Sequence, residues 1–231
     1  LAQHWALKYK RPLIAITGSN GKTTLKELIY NILSTKYKVL KNIDINVKGN
    51  DQSLINNILS NINNVEFNNI KITGTDTSNV SRNGLILYAH GNFSNVDFKD
   101  ITLNMPKANY VAPVSFERTS DLRDVNLDGI NVTGRDYSSG FIARAETIGV
   151  TNINASNVTI NATGNYIGGV IGNATYYWTT VVFNINGTDM NVTSTGNYVG
   201  GIFGYGGAQR VNVLRANVKG NSYVGGVAGQ N

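Results

Sequence analysis

The chain contains no cysteine among its 231 residues. Disulfide bonds and thiolate metal sites are therefore excluded. Its two histidines, His4 and His90, are too few for a multi-histidine metal centre. Only three prolines are present, so glycine and asparagine must supply the corners of the fold. No apolar run approaches the roughly 18 residues that cross a bilayer as a helix, and no membrane span is expected. Cationic excess is missing from most of the chain. Residues 1–50 hold nine Lys/Arg against Glu27 and Asp44, whereas residues 51–231 hold eleven basic and twelve acidic residues. The net charge of +6 thus belongs to the front segment. A nucleic-acid surface needs basic residues spread over one face with aromatic partners, so no nucleic-acid partner is expected.

What the sequence does have is repetition. A pattern returns about every thirty residues from residue 65 onward, clearest as Ala162-Thr-Gly-Asn-Tyr166-Ile-Gly-Gly169-Val-Ile-Gly172 and Ser194-Thr-Gly-Asn-Tyr198-Val-Gly-Gly201-Ile-Phe-Gly204. Weaker echoes are Tyr110-Val-Ala-Pro-Val114 and Tyr137-Ser-Ser-Gly-Phe141. Aligned on Gly74, Met105, Gly134, Gly164, Gly196 and Gly220, the copies number six. Before each anchor runs an alternating segment such as Val65-Glu-Phe-Asn-Asn-Ile-Lys-Ile72, which reads as a strand with one face inward. Asparagine marks the same region, with two before residue 42 and thirty-two from there on. Its side chain tolerates left-handed backbone and forms ladders when stacked in register. Repeats of this length bury their apolar faces only against neighbours. The expected fold is all-β: a right-handed parallel β-solenoid of about six coils over 65–231, rising roughly 4.8 Å per coil.

The front of the chain has a different character. Leu13-Ile-Ala-Ile16 reads as a buried parallel strand. Thr17, Gly18, Ser19, Asn20, Gly21, Lys22, Thr23 and Thr24 follow as a glycine loop. Leu25, Leu28, Ile29, Ile32 and Leu33 then fall on one helical stripe. Strand, glycine loop and helix form the setting in which backbone amides cradle phosphate. Residues 1–41 are therefore expected to be a small α/β strand-loop-helix segment, and 42–64 a linker with a capping helix. For that helix, Leu54, Ile55, Ile58, Leu59 and Ile62 supply the stripe and Asp51 or Ser53 the N-cap. A start at Leu1 without a leader-like stretch is expected of a segment of a longer protein.

Two resemblances attach to these halves. The glycines and aromatics of the repeat resemble the GLUG motif of bacterial surface and secreted proteins. That resemblance implies a β-solenoid on an exported protein, with adhesion or scaffolding as its role and no catalytic residue. Residues 14–24, with Lys26-Glu-Leu-Ile29, resemble the start of the central domain of Mur ligases. This resemblance implies ATP phosphates held by residues 17–24, with Lys22 reaching the β/γ oxygens and Thr23 binding Mg²⁺. It also implies, as an alternative reading, a cytoplasmic ATP-dependent peptidoglycan-precursor ligase. The metal ligands and substrate site that such ligases supply downstream have no counterpart after residue 41, and with the repeat reading no cofactor is expected.

Two further clusters have candidate chemistry. Glu117, Arg118, Asp121, Arg123, Asp124 and Asp128 bring carboxylates close in sequence, as paired acids working on a sugar would require. Tyr176, Tyr177 and Trp178 could hold a carbohydrate by stacking. These allow a further alternative, a carbohydrate-active β-helix. The expected partners are carbohydrate or a host or cell-surface protein, at the cell surface or outside the cell.

Overall fold

The computed structural model describes residues 43–47, 53–58, 61–75, 82–117, 121–146, 149–174 and 182–230. All of them fall within one compact unit, Leu40–Asn231. The phosphate loop and the expected α/β segment lie outside the described residues.

The chain folds as a parallel β-solenoid built of rungs. The first rung is β1 (Ile43–Val47) and β2 (Ser53–Ile58). Next come β3 (Ile62–Gly74) with β4 (Asn83–Ala89), β5 (Phe93–Asn104) with β6 (Val111–Glu117), and β7 (Leu122–Gly134) with β8 (Ile142–Ala145). The last three rungs each carry an additional short strand. They are β9 (Val150–Ala162), β10 (Ile167–Gly168) and β11 (Ile171–Asn173); β12 (Val182–Ser194), β13 (Val199–Gly200) and β14 (Phe203–Tyr205); and β15 (Gln209–Lys219), β16 (Val224–Gly225) and β17 (Ala228–Gln230). Three sheets result, in the orders β1-β3-β5-β7-β9-β12-β15, β10-β13-β16 and β17-β14-β11-β8-β6-β4-β2. The six expected copies are the rungs headed by β3, β5, β7, β9, β12 and β15.

The expected capping helix is a strand. Residues 53–58 pair in parallel with β4, Ile55 opposite Ile86 and Ile58 opposite Ala89, and Ile62 opens β3. A short apolar run satisfies helical and extended spacing alike, so neighbours decide. Here β4 would otherwise present a bare edge, and pairing it supplies backbone hydrogen bonds that a helix laid across it would not. Among the described residues the solenoid accordingly reaches back to Ile43 instead of only to residue 65.

Each long strand is three straight pieces joined by two left-handed corners. In β9 the buried positions are Val150, Ile153, Ala155, Val158, Ile160 and Ala162, a 3-2-3-2-2 spacing instead of strict alternation. The extra residues are Asn152 and Asn157, with φ of 55° and 54°. The same pair of corners recurs as Asn64/Asn69, Asn95/Asp100, Asp124/Gly129, Asn184/Asp189 and Arg210/Arg215. Left-handed backbone costs most residues roughly 1–2 kcal/mol, and Asn, Asp and Gly tolerate it best. This requirement accounts for six of the asparagines: Asn64, Asn69, Asn95, Asn152, Asn157 and Asn184.

Apolar columns fill the interior. Val96, Val125, Ile153 and Ile185 stack in register, as do Ile101, Ile130, Val158 and Met190, all with no measurable exposure. A third column tapers from Phe67 and Phe98 through Leu127 and Ala155 to Gly187. Its aromatic end is a stacked pair, Phe67 and Phe98, with ring centroids 5.0 Å apart. Its narrowest point makes room for the opposite wall, because a Cβ at Gly187 would lie 2.6 Å from Ile202 Cδ1, and Val213 continues the column in the last rung.

The register differs from the sequence alignment at two anchors. Gly134 stands opposite Ala162, and Ala162 opposite Ser194, so Gly164 and Gly196 sit two residues further along. The turns that follow differ in length from rung to rung and absorb the offset.

Candidate functional site

Corners of the third kind fall on tyrosine. Tyr110, Tyr137, Tyr166, Tyr198 and Tyr223 all have left-handed backbone, with φ between 53° and 62°. Their rings form one stack, with successive centroids 4.6, 4.8, 4.8 and 4.8 Å apart and planes within 10° of parallel. Stacking of this kind contributes about 0.5–1.5 kcal/mol per pair, which offsets the conformational strain at each corner. The residue before each tyrosine locks the rung spacing. Asn165 N–H donates to Asp136 Oδ1 at 2.7 Å, and Asn197 N–H donates to Asn165 Oδ1 at 2.8 Å.

A second row runs beside this stack on the outside of the β2–β17 sheet. Tyr88, Phe116, Arg144, Asn173 and Tyr205 are consecutive register partners. The Arg82 guanidinium lies over Phe116 at 4.6 Å and over Tyr88 at 5.1 Å, and Arg144 lies over Phe116 at 5.3 Å. Tyr205 tilts against Tyr166 at 6.1 Å and Tyr198 at 5.9 Å, which joins the row to the stack. The result is a half-buried aromatic and cationic strip along the rod. The Tyr137, Tyr166 and Tyr198 rings are covered on both faces by their neighbours, so a sugar ring cannot lie flat on them. The Arg144 guanidinium also pairs with Glu146 at 3.3 Å, and phenol edges and hydroxyls are the groups that suit hydrogen bonding to a repeating polar chain.

Burial, together with the neighbouring phenols Tyr110 and Tyr166, pushes the Tyr137 hydroxyl above its ordinary value. Burial, then Tyr198 and Tyr205, does the same for Tyr166. A raised pKa means that the folded state favours the neutral phenol. The associated stability is fully present below the ordinary value of about 10 and is lost as pH rises through the folded value. Thermal melts are therefore expected to fall steeply above about pH 10, with a phenolate absorbance change that accompanies unfolding. Tyr137→Phe should lessen that alkaline loss, and an unchanged alkaline profile in this variant would contradict the assignment.

The described carboxylates of the acidic cluster, Asp121, Asp124 and Asp128, do not converge. Asp121 N–H donates to Asn92 Oδ1 at 2.9 Å, and the Asp121 carboxylate is 3.8 Å from the Arg123 guanidinium. Asp124 Oδ1 accepts from Asn152 Nδ2 at 2.9 Å. Asp128 Oδ1 accepts from Asn157 Nδ2 at 2.7 Å and Ser156 Oγ at 2.9 Å, bonds that hold its carboxyl below the usual range. Each carboxylate in β7 is thus committed to the next rung. Asp124 ends a ladder that runs from Asn184 through Asn152 with steps of 2.9 Å each, and a parallel ladder runs from Asn186 through Asn154 and Asn126 to Asp97 with steps of 3.0, 3.1 and 2.9 Å. Arg118, Tyr176, Tyr177 and Trp178 lie outside the described residues, as do the expected ATP-phosphate and magnesium ligands from Thr17 to Thr24. Among the described residues no group of three or more His, Cys, Asp or Glu is placed to hold a metal. No described helix is long and apolar enough to cross a membrane.

Sequence reasoning missed Arg82, Tyr88, Phe116 and Arg144. The available signal was the constant interval of Tyr88, Phe116 and Arg144, one rung apart between the obvious copies; Arg82, just before the strand of Tyr88, carries no such signal.

Comparison with known proteins bears on the front of the chain. Residues 16–80 match the Mur ligase middle domain. That span includes the glycine loop and continues through β1 and β2 into the rung of β3, where the described residues pair as solenoid rungs. A stretch of 28 residues is 75% identical to the UDP-N-acetylmuramoyl-tripeptide--D-alanyl-D-alanine ligase of Borreliella burgdorferi. It covers 12% of this chain and 6% of the ligase. No solved structure matches the chain. Over residues 16–80, and not over the greater part of the solenoid, the chain is similar to the Mur ligases.

Proposed function

We propose that the solenoid of residues 43–230 is a non-enzymatic scaffold, a GLUG-type repeat segment of a bacterial cell-surface or secreted protein. In this reading it presents its aromatic and cationic strip for adhesion to carbohydrate or to a host or cell-surface protein. The supporting observation is the strip itself: recognition-type side chains repeat along one line while the carboxylates bind neighbouring rungs. Binding to a panel of polysaccharides and extracellular proteins tests it. The expected result is retention on at least one ligand, weakened in Arg144→Ala. Release of sugar from a polysaccharide would replace this reading with a carbohydrate-active β-helix.

The similarity of residues 16–80 to Mur ligases favours a second reading. Here Thr17 to Thr24 hold the phosphates of ATP, Thr23 contributes to Mg²⁺, and the parent protein is a cytoplasmic ATP-dependent ligase of peptidoglycan precursors. Titration calorimetry with Mg-ATP separates the two. Micromolar binding that drops at least tenfold in Lys22→Ala is expected of the ligase reading. Absence of binding leaves the scaffold alone.

A further inference from the structure

On the sheet of long strands, the outward side chains beyond the second corner form a grid. That corner is Asp100 in β5, Gly129 in β7, Asn157 in β9 and Asp189 in β12. Past it, one column of register partners runs Thr102, Asn131, Thr159 and Asn191. The column two residues further along, from Asn104 to Thr193, runs in the opposite order. Every outward position in this piece of four consecutive rungs is thus threonine or asparagine, and the two types alternate both along the rod and along each strand. The residues between them, Leu103, Val132, Ile160 and Val192, are buried, so the grid stands on packed core. Its asparagines are exposed and its threonines exposed or half-buried. No charge falls inside it; Lys71 and Lys219 stand one rung beyond its opposite ends.

Alternation leaves these polar atoms to water. Before the corner, Asn126, Asn154 and Asn186 form an unbroken column and use their amides on one another. In the grid a threonine separates each asparagine from the next, so successive amides in a column are two rungs, about 10 Å, apart and cannot meet. Among the described residues no side-chain hydrogen bond joins two members of the grid, and the Asn131 amide reaches only the Gly129 carbonyl, at 3.5 Å. Threonine is stiff at χ1, so its hydroxyl and methyl keep one orientation from rung to rung. The sheet sets the repeat at about 4.8 Å along the rod and about 6.6 Å along the strand, which is near the oxygen repeat on a prism face of hexagonal ice.

From this we propose that the Thr/Asn grid is an ice-binding face. Hydroxyls and amides hold a layer of water at the sheet's own repeat, and that layer joins the crystal. The absence of charge inside the grid matters, because an ammonium or carboxylate would keep a hydration shell of its own in place of the lattice. The same composition argues against other occupants. A sugar chain is gripped by aromatic faces and a protein partner by a central aromatic or arginine anchor, and the grid has neither. The grid lies on a different sheet from the aromatic strip, and the inference is independent of the adhesion reading.

The test uses the full chain and measures the gap between the melting and freezing points of a single ice crystal in its solution. The unaltered chain should open such a gap and facet the crystal. Thr159→Lys should reduce the gap by roughly tenfold, because one central site of the grid then carries a strongly hydrated charge. Thr188→Lys, an outward position on the other side of the corner, should leave the gap unchanged, and both variants should melt at the unaltered temperature because both side chains point to solvent. No gap and no faceting with the unaltered chain overturns the inference, as does an equal loss in the two variants. Retention on crystalline cellulose or chitin that Thr159→Lys abolishes, without an effect on ice, would assign the face to polysaccharide. Dimerisation that Thr159→Lys abolishes, again without an effect on ice, would assign it to a second copy, and either result overturns the inference.

Discussion

Gly200→Val is expected to cost the solenoid about 2–4 kcal/mol, the range for overpacking against atoms that cannot move aside. A Cβ at this position would overlap the Phe203 carbonyl oxygen and lie 2.8 Å from Gly229 N and 2.9 Å from Ala228 Cα. All three are backbone atoms, and two belong to the following rung, so no rotamer change relieves the clash. For a chain of this size the melting temperature should fall by about 5–15 °C. Thermal denaturation followed by circular dichroism reads this directly. A melt identical to the unaltered protein would mean that the rungs are not spaced as described. The cause is steric rather than conformational, since Gly200 does not have left-handed backbone. Gly168 and Gly225 stand in the same column and make the same kind of contact, with the Ile171 and Ala228 carbonyl oxygens. Substitution at either should resemble Gly200→Val.

Tyr198→Asp should have a comparable effect by a different route. Tyr198 stacks between Tyr166 and Tyr223 at 4.8 Å on each side and meets Tyr205 edge-on at 5.9 Å. Losing two stacked pairs, one edge contact and the buried ring area sums to about 2–4 kcal/mol. Aspartate is among the better residues for left-handed backbone, so the corner itself is not what fails. Tyr198→Gly isolates that point. It relieves the corner strain but loses the stack, and it should remain clearly destabilised in urea titration. If Tyr198→Gly were as stable as the unaltered chain, the stack would contribute nothing beyond its strain.

The repeat was legible because two signals coincide in it. Valines and isoleucines at strand spacing mark the inner face, and Asn-Tyr-x-Gly-Gly marks the corner and the close approach. The columns of Tyr166, Tyr198 and Tyr223 and of Gly169, Gly201 and Gly226 follow from those signals. Even the degenerate copies at Tyr110 and Tyr137 occupy the same column. The corners inside the long strands were less visible. Val65, Phe67, Ile70 and Ile72 look alternating at a glance, yet the gap between Phe67 and Ile70 holds left-handed Asn69. Reading the 3-2 spacing as a bend, rather than as noise on a period of two, would have located these corners.

Where local preference and long-range pairing disagree, the sequence alone misleads. Leu54, Ile55, Ile58, Leu59 and Ile62 satisfy a helical stripe, but residues 53–58 pair with β4 as a strand. That outcome depends on an edge thirty residues away, which no local pattern records. The two-residue offset at Gly164 and Gly196 has the same origin. Matching glycine to glycine is locally persuasive, whereas the register is fixed by Ala162 opposite Gly134 and Ser194 opposite Ala162. The outer strip was missed because Tyr88, Phe116 and Arg144 differ in residue type and only the rung spacing unites them, while Arg82 joins them through its contact with the Tyr88 and Phe116 rings.

The tyrosine, glycine and asparagine columns also govern how such a gene can change length. Because each rung touches only the one before and the one after, duplicating a whole rung by unequal recombination leaves every column unbroken. An insertion of half a rung would set carbonyls against side chains and tyrosines against glycines. Growth and shrinkage are thereby confined to whole-rung increments, with reach adjustable in steps of one ring thickness.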